Sequence, residues 1–209
     1  MEFIYECEDV FPVSFCNRVI EKFEKSDLKF KGRANSGSNT IKKSTDIRIY
    51  DEPEWVEEEK YFHDTIRKAM KKYETFLLKM DVDDQVKKSM SDILIKSHVY
   101  PPQIQRTEPS EYYHWHHDQS RNSHWKLFTY IIYLNDVEED SGGTTEFSCG
   151  KNIQPKVGKI VFFPSTWTYF HRGKTLEKGI KYIATNNLYT DHPRNISLSR
   201  LEQSKLNHK

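Results

Sequence analysis

From Asp92 onward the sequence is a succession of short runs rich in aromatic and β-branched residues. The clearest runs are WKLFTYIIYLND, KIVFFP and KYIATNNLYT, and residues of the types Gly, Pro, Asn and Asp separate them. Strands spaced in this way, without helices between them, are typical of an antiparallel sandwich or barrel rather than of alternating β-α units. The second half of the chain therefore predicts an antiparallel β core.

The first half carries the helical signals. Apolar residues between positions 54 and 80, among them Phe62, Ile66 and Tyr73, recur with a period of about 3.6, and Lys, Arg and Glu occupy the opposite side. Pro12 and Ser14 open a shorter helix that follows a candidate strand at residues 2–6. Helices followed by strands predict an α+β fold.

Length and composition limit the organisation of the chain. Its 209 residues correspond to one domain, which we assign to 1–190, with a helical part at 1–90, a β core at 91–190 and a polar tail at 191–209. The formal net charge of +1 excludes a uniformly basic surface for a polyanion. Three cysteines without a C-x-x-C pair indicate neither a disulfide framework nor a structural zinc site. Without a signal peptide or a long apolar run, we expect a soluble, cytoplasmic protein with no membrane contact.

Histidines cluster in the middle of the chain, where His116 and Asp118 would share one face of a strand. His171 follows far downstream, at the end of an aromatic run. Two His side chains and one carboxylate on one face of a metal ion leave coordination positions open, which suits non-haem Fe(II). A structural zinc site would need four closed ligands.

Lys181 follows His171 by ten residues, with Gly173 and Gly179 around the turn, so we expect the two on neighbouring strands. A lysine buried beside a metal needs an anionic partner, and the run KYIATNNLY contains no acid. A dicarboxylic cosubstrate would supply that partner. Thr129 and Tyr133, on one face of their strand, place hydroxyls toward the same carboxylate.

Five ordered motifs together carry a resemblance to a known family. They are Tyr113-x-x-His116-x-Asp118, Thr129-x-x-x-Tyr133-Leu134-Asn135-Asp136, Ser141-Gly142-Gly143-x-Thr145-x-Phe147, Pro155-x-x-Gly158-x-x-Val161-Phe162-Phe163-Pro164, and His171 with Lys181. The region from about Asp92 to Tyr189 resembles the Fe(II)/2-oxoglutarate dioxygenases, in particular the prolyl 4-hydroxylase branch.

The resemblance implies a double-stranded β-helix core (jelly-roll, cupin-like) of eight strands with N-terminal flanking helices. It implies His116, Asp118 and His171 as Fe(II) ligands and Lys181 as the partner of the distal 2-oxoglutarate carboxylate, helped by Thr129 or Tyr133. Tyr100 would lie near the metal-chelating end of 2-oxoglutarate, and Tyr113 and Asn187 near the substrate.

The implied reaction hydroxylates peptidyl proline while 2-oxoglutarate and O2 become succinate and CO2. Ascorbate would support turnover, and the partner would be a peptide or protein.

Two features depart from this pattern or extend it. Prolyl 4-hydroxylases usually carry a tryptophan six residues after the clamping lysine, where this chain has Asn187. The Gly/Ser/Lys-rich segment 30–46 occupies the position of a mobile substrate lid in relatives.

Alternatives remain at this point. Other protein residues or small molecules are also candidate substrates of the same chemistry. Arg194 and Arg200 have the R-x5-R spacing of nucleic-acid demethylases, but they lie in the tail, and the lysine clamp is already in place. A cupin-like site that uses His114 with His116 lacks the required Glu. A non-catalytic binding module on an oxygenase barrel would have lost a metal ligand or the clamp.

Overall fold

The computed structural model describes residues 2–32, 40–120 and 123–190. The helices are α1 (Val13–Lys25), α2 (Val56–Leu78) and α3 (Asp84–Ile95). The strands are β1 (Tyr5–Cys7), β2 (Phe30–Lys31), β3 (Lys42–Lys43), β4 (Thr45–Arg48), β5 (His98–Val99), β6 (Gln103–Thr107), β7 (Tyr112–His116), β8 (Lys126–Tyr133), β9 (Thr145–Phe147), β10 (Asn152–Ile153), β11 (Ile160–Pro164), β12 (His171–Gly173) and β13 (Lys181–Tyr189). The predicted tail, with Arg194 and Arg200, lies outside the described residues, as do positions 33–39 of the predicted lid.

The strands form two antiparallel sheets. The larger sheet has the order β1-β11-β8-β13-β6-β4-β2, with β5 also paired to β13, and the smaller has the order β10-β9-β12-β7-β3. Together with the N-terminal helices they confirm the predicted α+β fold with a double-stranded β-helix core.

Strand β13 occupies the middle of the larger sheet. It pairs with β8 on one side and with β6 on the other, so that Ala184 lies opposite both Ile132 and Ile104. The group β1-β11-β8 and the group β6-β4-β2 are therefore joined through β13.

The helices cover the outer face of the larger sheet. Phe62 and Tyr73 of α2 are buried in one cluster with Tyr130 and Phe162 of the sheet, and the rings of Tyr73 and Phe162 stack with centroids 5.4 Å apart. Each such aromatic side chain contributes roughly 1.5–3 kcal/mol through its burial. Among the described helices, none combines the length and the apolar character that crossing a membrane requires.

The inner face of the larger sheet faces the smaller sheet. Because strand side chains alternate, Tyr130 and Ile132 pack toward the helices while Thr129, Ile131 and Tyr133 point to the other side. A second apolar cluster that includes Ile131, Tyr133 and Phe163 lies there. The same face therefore carries the predicted hydroxyl groups of β8.

Two local predictions were wrong. The sequence ILIKSHVY at residues 93–100 predicts a strand from its apolar residues, but it forms the end of α3 followed by the short β5. The Asp83 side chain caps this helix by accepting a hydrogen bond from the Gln85 amide at 2.8 Å. The polar residues and the two adjacent prolines of segment 101–110 predict a loop, but the segment contains β6, whose backbone pairs with β4 and β13. Sheet pairing on both sides outweighs the polar composition of this segment.

The predicted loop at 30–46 also begins and ends in strands. Its described flanks form β2, β3 and the start of β4, and β3 pairs with β7. The N-terminal part thus contributes strands to both sheets besides its helices.

Candidate metal centre and cosubstrate cavity

Neighbouring strands of the smaller sheet bring His116, Asp118 and His171 together. His116 on β7 lies directly opposite His171 on β12, and Asp118 follows His116 by two residues. Asp118 Oδ1 lies 3.8 Å from His116 Nε2, and Asp118 Oδ2 lies 4.0 Å from His171 Nε2. One potential ligand atom from each residue lies within 4.8 Å of the others, an arrangement that suits three ligands on one face of a metal ion.

The backbone orients both imidazole rings. His116 Nδ1 lies 2.8 Å from the His114 carbonyl oxygen, and His171 Nδ1 lies 3.1 Å from the Tyr169 carbonyl oxygen. A carbonyl oxygen only accepts hydrogen bonds, so Nδ1 carries the proton in each ring. Each Nε2 therefore directs a free lone pair toward Asp118, as a metal ligand requires.

The protonation states of the group also suit metal binding. Burial, together with the neighbouring His171, lowers the pKa of His116 to about 3. Burial alone would raise the pKa of Asp118, but His171, His116 and Lys126, with the Thr129 hydrogen bond, outweigh it and lower the pKa to about 2. At neutral pH the site therefore presents a carboxylate and a neutral His116 imidazole, the forms that coordinate metals.

A small polar network holds the Asp118 carboxylate. Thr129 Oγ1 donates a hydrogen bond to Asp118 Oδ2, and Asn187 Nδ2 lies 3.4 Å from the same oxygen. Asn187 Nδ2 also donates to Thr129 Oγ1 at 2.9 Å and to Ser165 Oγ at 3.2 Å. Such partners orient a ligating carboxylate.

In this network Thr129 and Asn187 contact a different group from the ones predicted for them. Thr129 was predicted at the distal carboxylate of 2-oxoglutarate and Asn187 near the substrate; in the structure both contact Asp118. Their contacts with cosubstrate and substrate remain predictions. Ser165, which completes the network, follows the FFP run and carried no signal in the sequence.

A cavity of 200 Å³ lies between the two sheets, beside the three ligand candidates, and Lys181 lines it. The Lys181 side chain is buried and its Nζ donates to the Gly143 carbonyl oxygen at 2.7 Å. No carboxylate of the described residues lies within ion-pair distance of it, and burial lowers its pKa to about 8. A buried cation without a counter-ion fits a cavity that receives a carboxylate from a ligand.

Lys181 and His171 belong to different sheets, so the expectation that they lie on neighbouring strands was wrong. His171 is on β12 in the smaller sheet, and Lys181 begins β13 in the larger one. The two side chains line the same cavity from opposite walls, because the chain crosses between the sheets after Gly173.

Of the predicted residues Tyr113 and Tyr133, Tyr113 lines the cavity and Tyr133 lies behind its wall. The Tyr113 ring stacks on His116 with centroids 3.5 Å apart and lines the cavity. Tyr133 is fully buried and donates to Thr145 Oγ1 at 2.7 Å, so Thr145 rather than Tyr133 forms the cavity wall. Their roles toward substrate and cosubstrate remain predictions.

Tyr100 lies outside this cavity, contrary to the position expected for it. Its ring packs against Tyr50 and Tyr189, each with centroids 5.3 Å away. The reason is that Tyr100 precedes β6, and β6 presents Gln105 and Thr107 to the cavity in its place. The alternation of Gln103, Gln105 and Thr107 is the sequence signal for this wall, although the polar composition of the segment favours a loop.

Known proteins that are similar to this chain agree with an iron and 2-oxoglutarate site. Residues 102–189 match the family model described as the 2OG-Fe(II) oxygenase superfamily. Over 84 residues the chain is 32% identical to mouse 2-oxoglutarate and iron-dependent oxygenase domain-containing protein 3, and 31% identical to the human protein. These matches cover 38% of this chain and 26% of each relative, so the matched region spans about a quarter of the relatives' length.

Solved structures share the fold over most of the chain. The viral collagen prolyl hydroxylase of Paramecium bursaria Chlorella virus-1 has a TM-score of 0.62 and 23% identity, covering 90% of this chain and 97% of its own. The Trichoplax adhaerens prolyl hydroxylase, solved with a hypoxia inducible factor peptide fragment, has a TM-score of 0.70 and 14% identity, covering 91% and 85%. A Pseudomonas putida prolyl-4-hydroxylase has a TM-score of 0.64 and 14% identity, covering 92% and 95%.

The residues present fit the two groups that this family implies, Fe(II) and 2-oxoglutarate. Two oriented imidazoles and a carboxylate provide the metal ligands, and the unpaired Lys181 ammonium suits a cosubstrate carboxylate. The family model covers residues 102–189, and with the intact His116–Asp118–His171 triad this region is identified as a domain of the 2OG-Fe(II) oxygenase superfamily.

Proposed function

We propose that the chain is a Fe(II)- and 2-oxoglutarate-dependent dioxygenase that hydroxylates peptidyl proline, coupled to conversion of 2-oxoglutarate and O2 to succinate and CO2. The observation that carries this proposal is the buried Lys181 ammonium. It lines the same cavity as the triad and has no carboxylate partner among the described residues. A dicarboxylate that reaches both the metal and Lys181 satisfies both ends of the cavity.

Each residue of the centre has a distinct task. His116 and His171 would bind the metal through Nε2, because their Nδ1 atoms are held by backbone carbonyls. Thr129 and Asn187 orient Asp118 by hydrogen bonds to Oδ2. Lys181, held by the Gly143 carbonyl, would bind the distal carboxylate of 2-oxoglutarate.

When bound together, the metal and 2-oxoglutarate supply the activation of O2 that inserts oxygen into a C–H bond. The protein contributes orientation and exclusion of water. Ile131 and Ile183 line the cavity beside the polar groups, and the Tyr113 ring covers one face of His116. A cavity closed on these sides limits side reactions with bulk solvent.

The fold supports peptidyl proline as the substrate, since the three prolyl hydroxylase structures align over about nine-tenths of this chain. Asn187 supports a second candidate, the same chemistry on another substrate. Its amide contacts Asp118, Thr129 and Ser165. Asn is also smaller than Trp, so Asn187 does not offer a substrate the large contact surface that a tryptophan would.

Succinate formation from 2-oxoglutarate, with Fe(II) and ascorbate, tests the proposal. We would assay a panel of proline-containing peptides and protein extracts and look for oxidised proline by mass spectrometry. We expect a proline peptide to stimulate succinate formation and to gain one oxygen atom. Succinate without a proline product would favour the second candidate, and no succinate with metal verified as bound would contradict both.

Triad variants provide the structural control. His116→Ala and Asp118→Ala should each abolish turnover while the fold is retained, because each removes one metal ligand. His114→Ala is the matched control, since His114 lies on the same strand with an exposed side chain outside the triad. Normal turnover in both triad variants would contradict the metal assignment.

A further inference from the structure

We propose that the substrate of this site is an acidic peptide segment, recognised by four cations at the mouth of the cavity. The four, called the mouth cations below, are Lys43, Arg48, Lys126 and Lys174. This inference rests on the proposed function, because it names the substrate class of the same site.

The mouth cations come from both sheets and surround the opening. On the smaller sheet, Lys43 of β3 lies opposite Tyr112, and Lys174 directly follows Gly173, which lies opposite Tyr113. Two cations therefore flank the strand that carries Tyr113 and His116.

The larger sheet supplies the other two. Arg48 of β4 lies opposite Gln103, and Lys126 of β8 lies opposite Tyr189. An extended segment that crosses the mouth would pass between cations on both walls.

No carboxylate among the described residues lies within ion-pair distance of the mouth cations. By contrast, Lys42, which also lines the cavity, is neutralised by a buried ion pair with Asp46 at 2.6 Å. Lys126 is only partly exposed, and its desolvation is opposed by the more distant Asp118 alone. A carboxylate placed beside it would offset that cost.

The metal and the cosubstrate do not neutralise the positive charge of the mouth cations either. The two positive charges of Fe(II) and that of Lys181 are balanced by Asp118 and the two carboxylates of 2-oxoglutarate. The loaded centre is therefore neutral, and the mouth cations stay uncompensated. Since the whole chain carries 32 Lys and Arg against 31 Asp and Glu, this local excess does not reflect its composition.

The distribution favours a peptide over a nucleic acid. A nucleic-acid backbone would require a basic surface extending along many phosphates, and the net charge of +1 does not provide one. Four cations confined to one opening match a few carboxylates on either side of a single target residue. Charges arranged in this way set specificity and the association rate.

Binding measured without turnover tests the inference. The probes are two labelled peptides with a central proline, one flanked by Glu and the other by Gln at the same positions. The full chain is loaded with Mn(II) and 2-oxoglutarate, and fluorescence anisotropy gives the Kd. We expect the Glu peptide to bind roughly tenfold more tightly at low salt, with an advantage that shrinks as NaCl screens the charges.

Charge reversal at two exposed positions locates the effect. The variant Lys43→Glu/Lys174→Glu should lose the preference for the Glu peptide and bind a Lys-flanked peptide more tightly than the unmodified chain does. The control Lys68→Glu/Lys72→Glu makes the same change in net charge on the exposed side of α2 and should keep the preference. Melting temperatures of both variants confirm that they are folded.

The outcomes separate this inference from the proposed function. Equal Kd values for the Glu and Gln peptides, an unchanged preference in Lys43→Glu/Lys174→Glu, or tighter binding of a single-stranded oligonucleotide would each overturn it. Absence of hydroxylated proline would contradict the proposed function alone, because the anisotropy measurement needs no turnover.

Discussion

Replacing Lys181 by Met should make the empty protein more stable and the enzyme less able to bind 2-oxoglutarate. Burial lowers the pKa of Lys181 from 10.5 to about 8, and about 1.4 kcal/mol corresponds to one pKa unit, so the charged side chain costs about 3–4 kcal/mol in the empty cavity. Its hydrogen bond to Gly143 offsets about 2 kcal/mol of this cost. The Lys181→Met variant should therefore gain about 1–2 kcal/mol, or about 5 °C in Tm.

Lys181→Met should weaken the binding of 2-oxoglutarate, although it stabilises the empty protein. A carboxylate buried without its partner loses about 3–5 kcal/mol, so the KM for 2-oxoglutarate should rise by a factor of about 100 or more. Calorimetric melting of the metal-free protein and steady-state succinate assays measure the two effects. The opposite signs distinguish a ligand-binding lysine from one that stabilises the fold.

Lys159→Met is the matched control. Lys159 is also buried, but it pairs with Glu6 at 3.0 Å and lies outside the cavity. Its replacement should lower Tm and leave the KM for 2-oxoglutarate unchanged. A Lys181→Met variant that behaved like Lys159→Met would refute the reasoning.

Three further outcomes concern pH, the metal and the core. In the folded empty cavity Lys181 loses its proton near pH 8, whereas in the unfolded chain it does so near pH 10.5. Between these values the folded state binds fewer protons, so the contribution of Lys181 to the free energy of unfolding rises with pH. The affinity for 2-oxoglutarate falls over the same range, because the neutral amine no longer attracts a carboxylate. A flat pH profile of the 2-oxoglutarate KM above pH 8 would contradict this. Thr129→Val, which removes the hydroxyl that donates to Asp118, should weaken metal affinity about 10–100-fold in a metal titration, and an unchanged affinity would show that the network is dispensable. Phe162→Ala should lower the free energy of unfolding by about 3–5 kcal/mol in denaturant titrations, since this fully buried ring packs on Tyr73; a loss below about 1 kcal/mol would not fit the packing.

The pair His116 and Asp118 could be predicted from the sequence because its geometry is local: a spacing of two residues places both side chains on one side of an extended chain. His171 lies far downstream, and the ordered motifs rather than local geometry assigned it to the same site. The structure pairs His171 directly with His116. Composition and periodicity likewise indicated α1 and α2, whose apolar residues face one side.

The cavity walls could not be predicted in the same way, since they depend on pairing between distant segments. Strand β6 is polar and follows two prolines, and its extended form results from pairing with β4 and β13. Once β6 is a strand, Gln105 and Thr107 take the wall where Tyr100 was expected. Thr129 points to the predicted side of β8, but which carboxylate it meets depends on the position of Asp118 across the cavity.

The middle position of β13 has a consequence for the order in which the chain can fold during synthesis. The segments that form β1, β8 and β11 and those that form β2, β4 and β6 leave the ribosome before residues 181–189 do. Until β13 emerges, each group presents an unpaired inner edge, and these edges are sites of mispairing and aggregation. The metal ligands are all synthesised earlier, yet the wall that carries Lys181 and Asn187 forms last. We therefore expect the nascent chain to depend on chaperone protection until β13 inserts between β8 and β6.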